Sequence, residues 1–160
     1  MRRLLLLLSA VAIMGSAQKP TPAFVQEILA AHNAARAKVG TPALIWSDSL
    51  AKVAQDWADT LLKNGKFEHR PLAQYGENLH ETRGGNDSPA EAISGWVAEQ
   101  KDYNAATNEC KTGRDCLHYT QVVSRSSRLV GCAVARDGTR REVWVCNYDP
   151  PGNVVGRRPF

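Results

Sequence analysis

The residues of this chain whose types suit acid–base or metal chemistry are four histidines, His32, His69, His80 and His118, and a scatter of carboxylates. The histidines have no ligand spacing, so any metal site has to be assembled by the fold from neutral imidazole and carboxylate donors. Local catalytic signatures are missing: there is no G-x-S-x-G elbow, no H-E-x-x-H pair and no phosphate-binding glycine loop. Glu99 is the carboxylate that most needs a partner. It follows Trp96 by three residues and precedes Tyr103 by four, on a helix face expected to pack inward, where an unpaired charge is costly. His32 lies on an amphipathic stripe and reads as a packed, hydrogen-bonded core residue. His69 and His118 lie at segment ends beside Phe67 and Tyr119, where spacing alone gives them no role.

The cysteines point to covalent staples rather than to a nucleophile. Cys110, Cys116, Cys132 and Cys146 all fall in the last third of the chain. Two local bridges are favoured: Cys110 to Cys116 closes a polar loop, and Cys132 to Cys146 staples a hairpin. Neither pair has the C-x2-C spacing that zinc sites prefer. An oxidising compartment is expected from the N-terminus as well. Arg2-Arg3, the apolar run Leu4 to Met14 and Gly15-Ser16-Ala17 read as a signal peptide spanning residues 1–17, leaving residues 18–160 as a single domain. The apolar run is shorter than the roughly 20 residues that span a bilayer, so an integral membrane protein is not expected. The expected location is extracellular, or periplasmic in a Gram-negative source.

The elements that must position these groups are readable from periodicity. Thr21-Pro22 caps a helix with Phe24, Ile28, His32, Ala35 and Val39 on one face, stopped by Gly40-Thr41-Pro42. A second runs from Ser47 or Asp48 to Asn64-Gly65. Ser88-Pro89-Ala90-Glu91 is a capping box opening a third helix that carries Ile93, Trp96, Val97 and Tyr103. Residues 104–115 read as a long loop, and Tyr119 to Val123 as a short apolar segment. Leu129–Arg136 and Glu142–Tyr148 read as an antiparallel hairpin, and a Cys132–Cys146 bridge centres its turn on Thr139. Both hairpin faces are apolar, which calls for cover on both sides. The expected class is α+β, a three-layer α-β-α sandwich around a central antiparallel sheet, with the tail Pro150 to Phe160 extended along the surface.

Without residues 1–17 the chain carries 18 basic and 16 acidic residues, and its basic excess lies beyond residue 100. This mild charge allows contact with an anionic cell-envelope surface. No aromatic platform or recognition module accompanies it, so nucleic acid is not an expected partner. Asn86-Asp87-Ser88 is a formal glycosylation sequon, with Pro89 directly after it working against its use.

Longer motifs carry a resemblance. Cys116-Leu117-His118-Tyr119-Thr120-Gln121-Val122-Val123 and Val143-Trp144-Val145-Cys146-Asn147-Tyr148-Asp149-Pro150-Pro151-Gly152-Asn153 resemble the two signatures of the CAP superfamily, whose members are cysteine-rich secretory proteins, antigen 5 and plant pathogenesis-related 1 proteins. His32-Asn33-Ala34-Ala35-Arg36, Gly76-Glu77-Asn78-Leu79 and Trp96-Val97-Ala98-Glu99 extend the match from about Phe24 to Phe160. The resemblance implies an SCP domain of the pathogenesis-related 1 type with the α-β-α sandwich. It also implies a cavity tetrad of His69, Glu77, Glu99 and His118, in which two histidines can hold a divalent metal, often zinc. Three positions depart from the family pattern: Arg70 replaces a common serine, Leu117 a glycine and Ser124 a tryptophan. Arg70 adds a positive charge expected to oppose cation binding. A third disulfide usual in plant members is missing.

The function expected from this resemblance is a non-enzymatic extracellular binding protein, monomeric, with a sterol or fatty acid bound near residues 104–115. The alternative is a zinc-dependent hydrolase using the His/Glu tetrad, with Glu77 or Glu99 as general base. A third expectation, from plant relatives, is release of the tail as a signalling peptide.

Overall fold

A computed structural model describes residues 19–160; the signal peptide expected over residues 1–17 lies outside the described residues. Helix α1 spans Pro22–Lys38, with the Thr21 hydroxyl accepting from the Phe24 amide and Pro22 at the first helical position. Helix α2 spans Asp48–Asn64, is capped by Ser47, and ends on Gly65 at φ 67°, a left-handed conformation that glycine adopts without steric cost. Helix α3 spans Pro89–Ala98, and the capping box of Ser88 and Glu91 is formed in both directions. A single 3-10 turn follows at Glu99–Asp102.

The strands are β1 (Ile45–Trp46), β2 (Gly76–Arg83), β3 (Tyr103–Asn104), β4 (Glu109–Cys110), β5 (Leu129–Arg136) and β6 (Arg141–Asp149), with helix α4 at Leu117–Val122. The main sheet has the order β1-β5-β6-β2. In the β5–β6 hairpin Cys132 faces Cys146 and Arg136 faces Glu142, so the turn centres on Thr139 as the disulfide requires. Both bridges, Cys110–Cys116 and Cys132–Cys146, are formed.

Strand alternation sends two apolar sets to opposite sides. Val130, Cys132, Trp144, Cys146 and Tyr148 pack against Ile28, Ala35, Ile93, Trp96, Tyr119 and Val122 of α1, α3 and α4. Ala133, Ala135, Val143 and Val145, with Leu79 of β2, pack against Ala54, Ala58 and Leu61 of α2. Each large apolar side chain enclosed in this way contributes roughly 1.5–3 kcal/mol. Helices thus cover both faces of the sheet, and the three-layer sandwich stands.

Four expectations change. The sheet is mixed, because the short β1 pairs with β5 in parallel. Strand β2 was not expected from periodicity; its alternating polar side chains belong to an edge strand lying on β6. Tyr103 is not helical, since α3 stops at Ala98 and Tyr103 begins β3. Residues 104–115 are not a plain loop: β3 and β4 form a small hairpin tied by Cys110–Cys116 to the start of α4.

The tail lies along the surface but is held at its end. Phe160 packs edge-on against Tyr103, with ring centroids 5.8 Å apart, and against Tyr119 at 6.5 Å. The Arg125 amide donates to the Pro159 carbonyl at 2.6 Å. Truncation after Arg158 removes this aromatic anchor and is expected to cost about 2–3 kcal/mol, by the usual worth of a large apolar side chain. A urea melt of the truncated chain checks this, and an unchanged midpoint would show that Phe160 is not a strut.

Candidate functional site

Three elements and one loop converge beside the start of α4. The Cys110–Cys116 bridge fixes the chain just before α4, and His118 follows two residues later. Glu99 sits where α3 gives way to the 3-10 turn, and its carboxylate faces α4. The His118 Nδ1–H donates to Glu99 Oε1 at 2.7 Å, while Glu99 Oε2 accepts from the His118 and Tyr119 amides at 3.1 and 3.3 Å. Both oxygens of Glu99 are therefore engaged, which answers the need for a partner read from its position.

Opposite, Glu77 opens strand β2, and His69 comes from the loop after α2. The His69 Nδ1–H donates to Glu77 Oε1 at 2.7 Å, and the Arg70 amide donates to the same oxygen at 3.1 Å. The Glu77 side chain is only 4% exposed, and its Oε2 is buried with no hydrogen-bond partner. Glu77, His69, His118, Asn78, Leu117, Asp115 and Asn153 line a cavity of about 300 Å³. Both imidazoles are held through Nδ1 by a carboxylate, which fixes the ring orientation and leaves Nε2 for another ligand.

A buried relay supports this arrangement from the core. His32 Nδ1–H donates to the Ile28 carbonyl at 2.8 Å, and its Nε2 accepts from the Tyr148 hydroxyl at 2.8 Å. Asn78 Nδ2 donates to the His118 carbonyl at 3.1 Å and to the Tyr148 hydroxyl at 3.4 Å. Asn78 thereby ties β2 to α4 between the two histidine–glutamate pairs. Burial drives the His32 pKa down to about 4 and pushes the Tyr148 phenol above its ordinary range. His32 is the packed core residue that its stripe predicts.

His32 has a consequence for acid stability. It stays neutral in the fold while the unfolded chain takes up its proton near pH 6.5, so stability falls as pH drops from about 6.5 to about 4. The whole loss attributable to His32 is about 3 kcal/mol, complete below about pH 4. Urea melts of the wild type and His32→Gln between pH 7 and 4 measure it. An equally steep acid loss in the variant would take the slope away from His32; Glu81 and Asp87 add a loss of their own only below about pH 4.5. Both are held below the ordinary carboxylate range, Glu81 mainly by a hydrogen bond from Arg141 and Asp87 mainly by one from Thr82.

Comparison with known proteins places the arrangement. Residues 29–148 match the model of the cysteine-rich secretory protein family, CAP. The chain belongs to the CAP family. It is 44% identical over 135 residues to pathogenesis-related protein 1A of Nicotiana tabacum, covering 84% of this chain and 80% of that protein. Among solved structures, Schistosoma mansoni venom allergen-like protein 4 superimposes with a TM-score of 0.67 at 26% identity, covering 84% of this chain and 92% of that one. NaASP2, solved with Zn2+, superimposes with a TM-score of 0.74 at 21% identity, covering 91% of this chain and 88% of that one.

The four residues expected from the resemblance, His69, Glu77, Glu99 and His118, lie as two hydrogen-bonded pairs. Of the three departures from the CAP pattern, Arg70 acts differently from its expectation. Its guanidinium donates to the Val53 carbonyl at 3.2 Å and lies 5.4 Å over the Trp57 ring, on the α2 side, so its charge is drawn away from the cavity. Leu117 is exposed and borders the cavity. Ser124 is buried, and its backbone carbonyl accepts a hydrogen bond from the Arg36 guanidinium. Sequence reasoning missed two cavity residues. Asn78 sits inside a motif whose internal roles spacing does not reveal. Asp115 was passed over as loop polarity, although its position three residues before His118, against a bridged cysteine, was a usable signal.

Proposed function

We propose that this CAP chain is an extracellular, non-enzymatic binding protein with a role in defence or signalling, whose cavity takes a divalent cation and whose neighbouring groove takes an apolar ligand such as a sterol or fatty acid. The observation that carries the reading is the pairing of each cavity histidine with its own glutamate through Nδ1. That arrangement is common around metal-ligating histidines, whose second nitrogen is oriented by a carboxylate. The donor set of imidazole and carboxylate suits zinc, and the buried Glu77 Oε2 without a partner is an atom that a cation would satisfy. NaASP2, which shares the fold, was solved with Zn2+.

The groove lies on the other side of Leu117 and Asn153. It measures about 260 Å³ and is bordered by Tyr103, the Cys110–Cys116 bridge, Leu117, Val154, Val155 and Pro159. Leu117 is 55% exposed and Val155 99%, an apolar edge that a lipid would cover. The volume accommodates one acyl chain or part of a sterol rather than enclosing either. No helix among the described residues is long and apolar enough to cross a membrane.

Native mass spectrometry of the secreted protein tests both ligands, followed by binding of a labelled sterol and a labelled fatty acid. Micromolar binding weakened about tenfold by Leu117→Asp or Val155→Asp supports the groove; no binding at that concentration overturns the lipid reading. The zinc hydrolase is a second reading favoured by one observation, the Glu77 oxygen that has no hydrogen-bond partner. A chelator-sensitive hydrolytic activity lost in His118→Ala would establish it in place of the non-enzymatic reading.

A further inference from the structure

We propose that the face built by the C-terminal tail, the β3–β4 hairpin and the start of α4 docks on an anionic lipid bilayer. Val155 enters the headgroup region there, and a rim of lysines and arginines meets the lipid phosphates. Three apolar side chains cluster at the centre of this face: Leu117 is 55% exposed, Val154 43% and Val155 99%. One exposed valine is ordinary, whereas a clustered apolar edge rimmed by charge marks a docking surface. Val155 lies in the turn that the Arg157 amide closes on the Val154 carbonyl at 2.9 Å, with Gly156 at φ 78°, so it projects from the crest of the tail.

The rim is basic and its charges are uncommitted. Arg157 and Arg158 follow Val155 in the tail, and Arg125 adjoins the tail's end, where its amide donates to the Pro159 carbonyl at 2.6 Å. Lys111 and Arg114 stand on the loop that the Cys110–Cys116 bridge closes, just before Leu117. These basic residues are all exposed. Among the described residues, the lysine and arginine ion pairs are made by Lys66, Arg83, Arg136 and Arg141, so no carboxylate neutralises the rim. The acidic groups on the same face, exposed Glu109 and Asp115 and half-buried Asp102, are fewer. The parts are held as one surface. Asn108 Nδ2 donates to the Arg157 carbonyl at 3.3 Å, Asn153 Nδ2 to the Leu117 carbonyl at 2.9 Å, and the Arg158 guanidinium to the Ala105 carbonyl and, at 3.0 Å, to that of Ala106. A protein partner would need a pocket shaped for one projecting side chain, whereas a bilayer interface accepts it without a shape requirement. Long basic side chains lay their stems along such an apolar centre and keep their charges at the phosphate level. Docking brings the mouth of the neighbouring groove to the membrane, but it does not rest on that groove being filled.

The test is co-sedimentation of residues 18–160 with vesicles of phosphatidylcholine alone and of phosphatidylcholine with about one-third phosphatidylglycerol. The chain should sediment with the anionic vesicles, far less with the neutral ones, and should be released by high salt. Replacing Lys111, Arg114 and Arg125 together with glutamine should weaken binding about a hundredfold, at about fivefold for each charge removed near the surface. Val155→Asp should weaken it about tenfold, and both variants should melt with the wild type because the changed side chains are exposed. Equal binding to neutral vesicles, or none to anionic ones, overturns the proposal. So does binding that survives both changes, which would place the membrane contact on another face. Loss in the triple variant with Val155→Asp unaffected would make the face a polyanion site rather than a membrane surface, and also overturns it. Binding of the labelled fatty acid in solution separates this from the groove reading: the triple variant should keep it, and a wild type that lacks it while sedimenting with anionic vesicles loses the groove ligand alone.

Discussion

Replacing Arg36 with alanine should destabilise the fold by about 4 kcal/mol, close to the whole stability of many small domains. Arg36 is fully buried, and among the described residues its guanidinium faces no carboxylate. Its hydrogen bonds run instead to main-chain carbonyls: Nε to Pro42 at 2.7 Å, one terminal nitrogen to Val122 and Ser124 at 2.9 Å each, and the other to Ser127 at 3.0 Å. Burial of the charge lowers the Arg36 pKa to about 10, so taking the guanidinium out of water carries a desolvation cost. Against that stand four charge-assisted hydrogen bonds at roughly 1.5–3 kcal/mol each, so the contacts outweigh the cost. Alanine relieves the charge but leaves the carbonyls without donors in a dry site.

Arg36→Lys should recover less than half of the loss, because an ammonium cannot present the planar fork that reaches four carbonyls in different directions. Urea unfolding of wild type, Arg36→Ala and Arg36→Lys with a common m-value gives the differences. An alanine variant within about 1 kcal/mol of the wild type would mean that water replaces the guanidinium without penalty. The effect should reach the site, because the carbonyls of Val122, Ser124 and Ser127 form the turn leaving α4, the helix that carries His118.

Such a role for Arg36 was invisible in the sequence, and the reason is general to this fold. Helices α1, α2 and α3 were legible because capping residues, prolines and apolar stripes are local signals. The β5–β6 hairpin and its register were legible because the Cys132–Cys146 bridge constrains the turn. Strand β2 was not, since an edge strand half open to solvent lacks a continuous apolar run. The tetrad became legible only through family resemblance: His69 and Glu77 are eight residues apart, Glu99 and His118 nineteen, and no spacing rule joins pairs that meet across the chain. Asp115 lies beyond that resemblance. Its place in the cavity follows from the disulfide that holds the α4 start, a tertiary effect of a covalent bond that the sequence did announce.

Gly131→Ala should cost about 3 kcal/mol or more, and Gly131→Val should prevent folding. Gly131 lies in the middle of the sheet on β5, paired with Asn147, on the face that receives α2. A methyl group there would sit 2.1 Å from the Ala51 amide nitrogen, and 2.6 Å from both the Leu50 carbonyl carbon and the Ser47 oxygen. All three are backbone atoms, so no rotamer change relieves the clash. The helix cannot slide along the strand either, because the Ser47 amide donates to the Val130 carbonyl at 2.9 Å and pins the helix start to β5. The first turn of α2 must lift, opening the layer where Ala54 and Ala58 meet Ala133 and Ala135. Overpacking a core with flexible neighbours costs about 1–3 kcal/mol, and rigid backbone neighbours place this site at or above the top of that range.

Gly95 supplies the contrast on the same chain. It lies exposed in α3 with nothing within 4 Å of an added methyl, so Gly95→Ala should stabilise by about 0.5–1 kcal/mol through helix propensity. Melting curves of the two alanine variants should therefore shift in opposite directions.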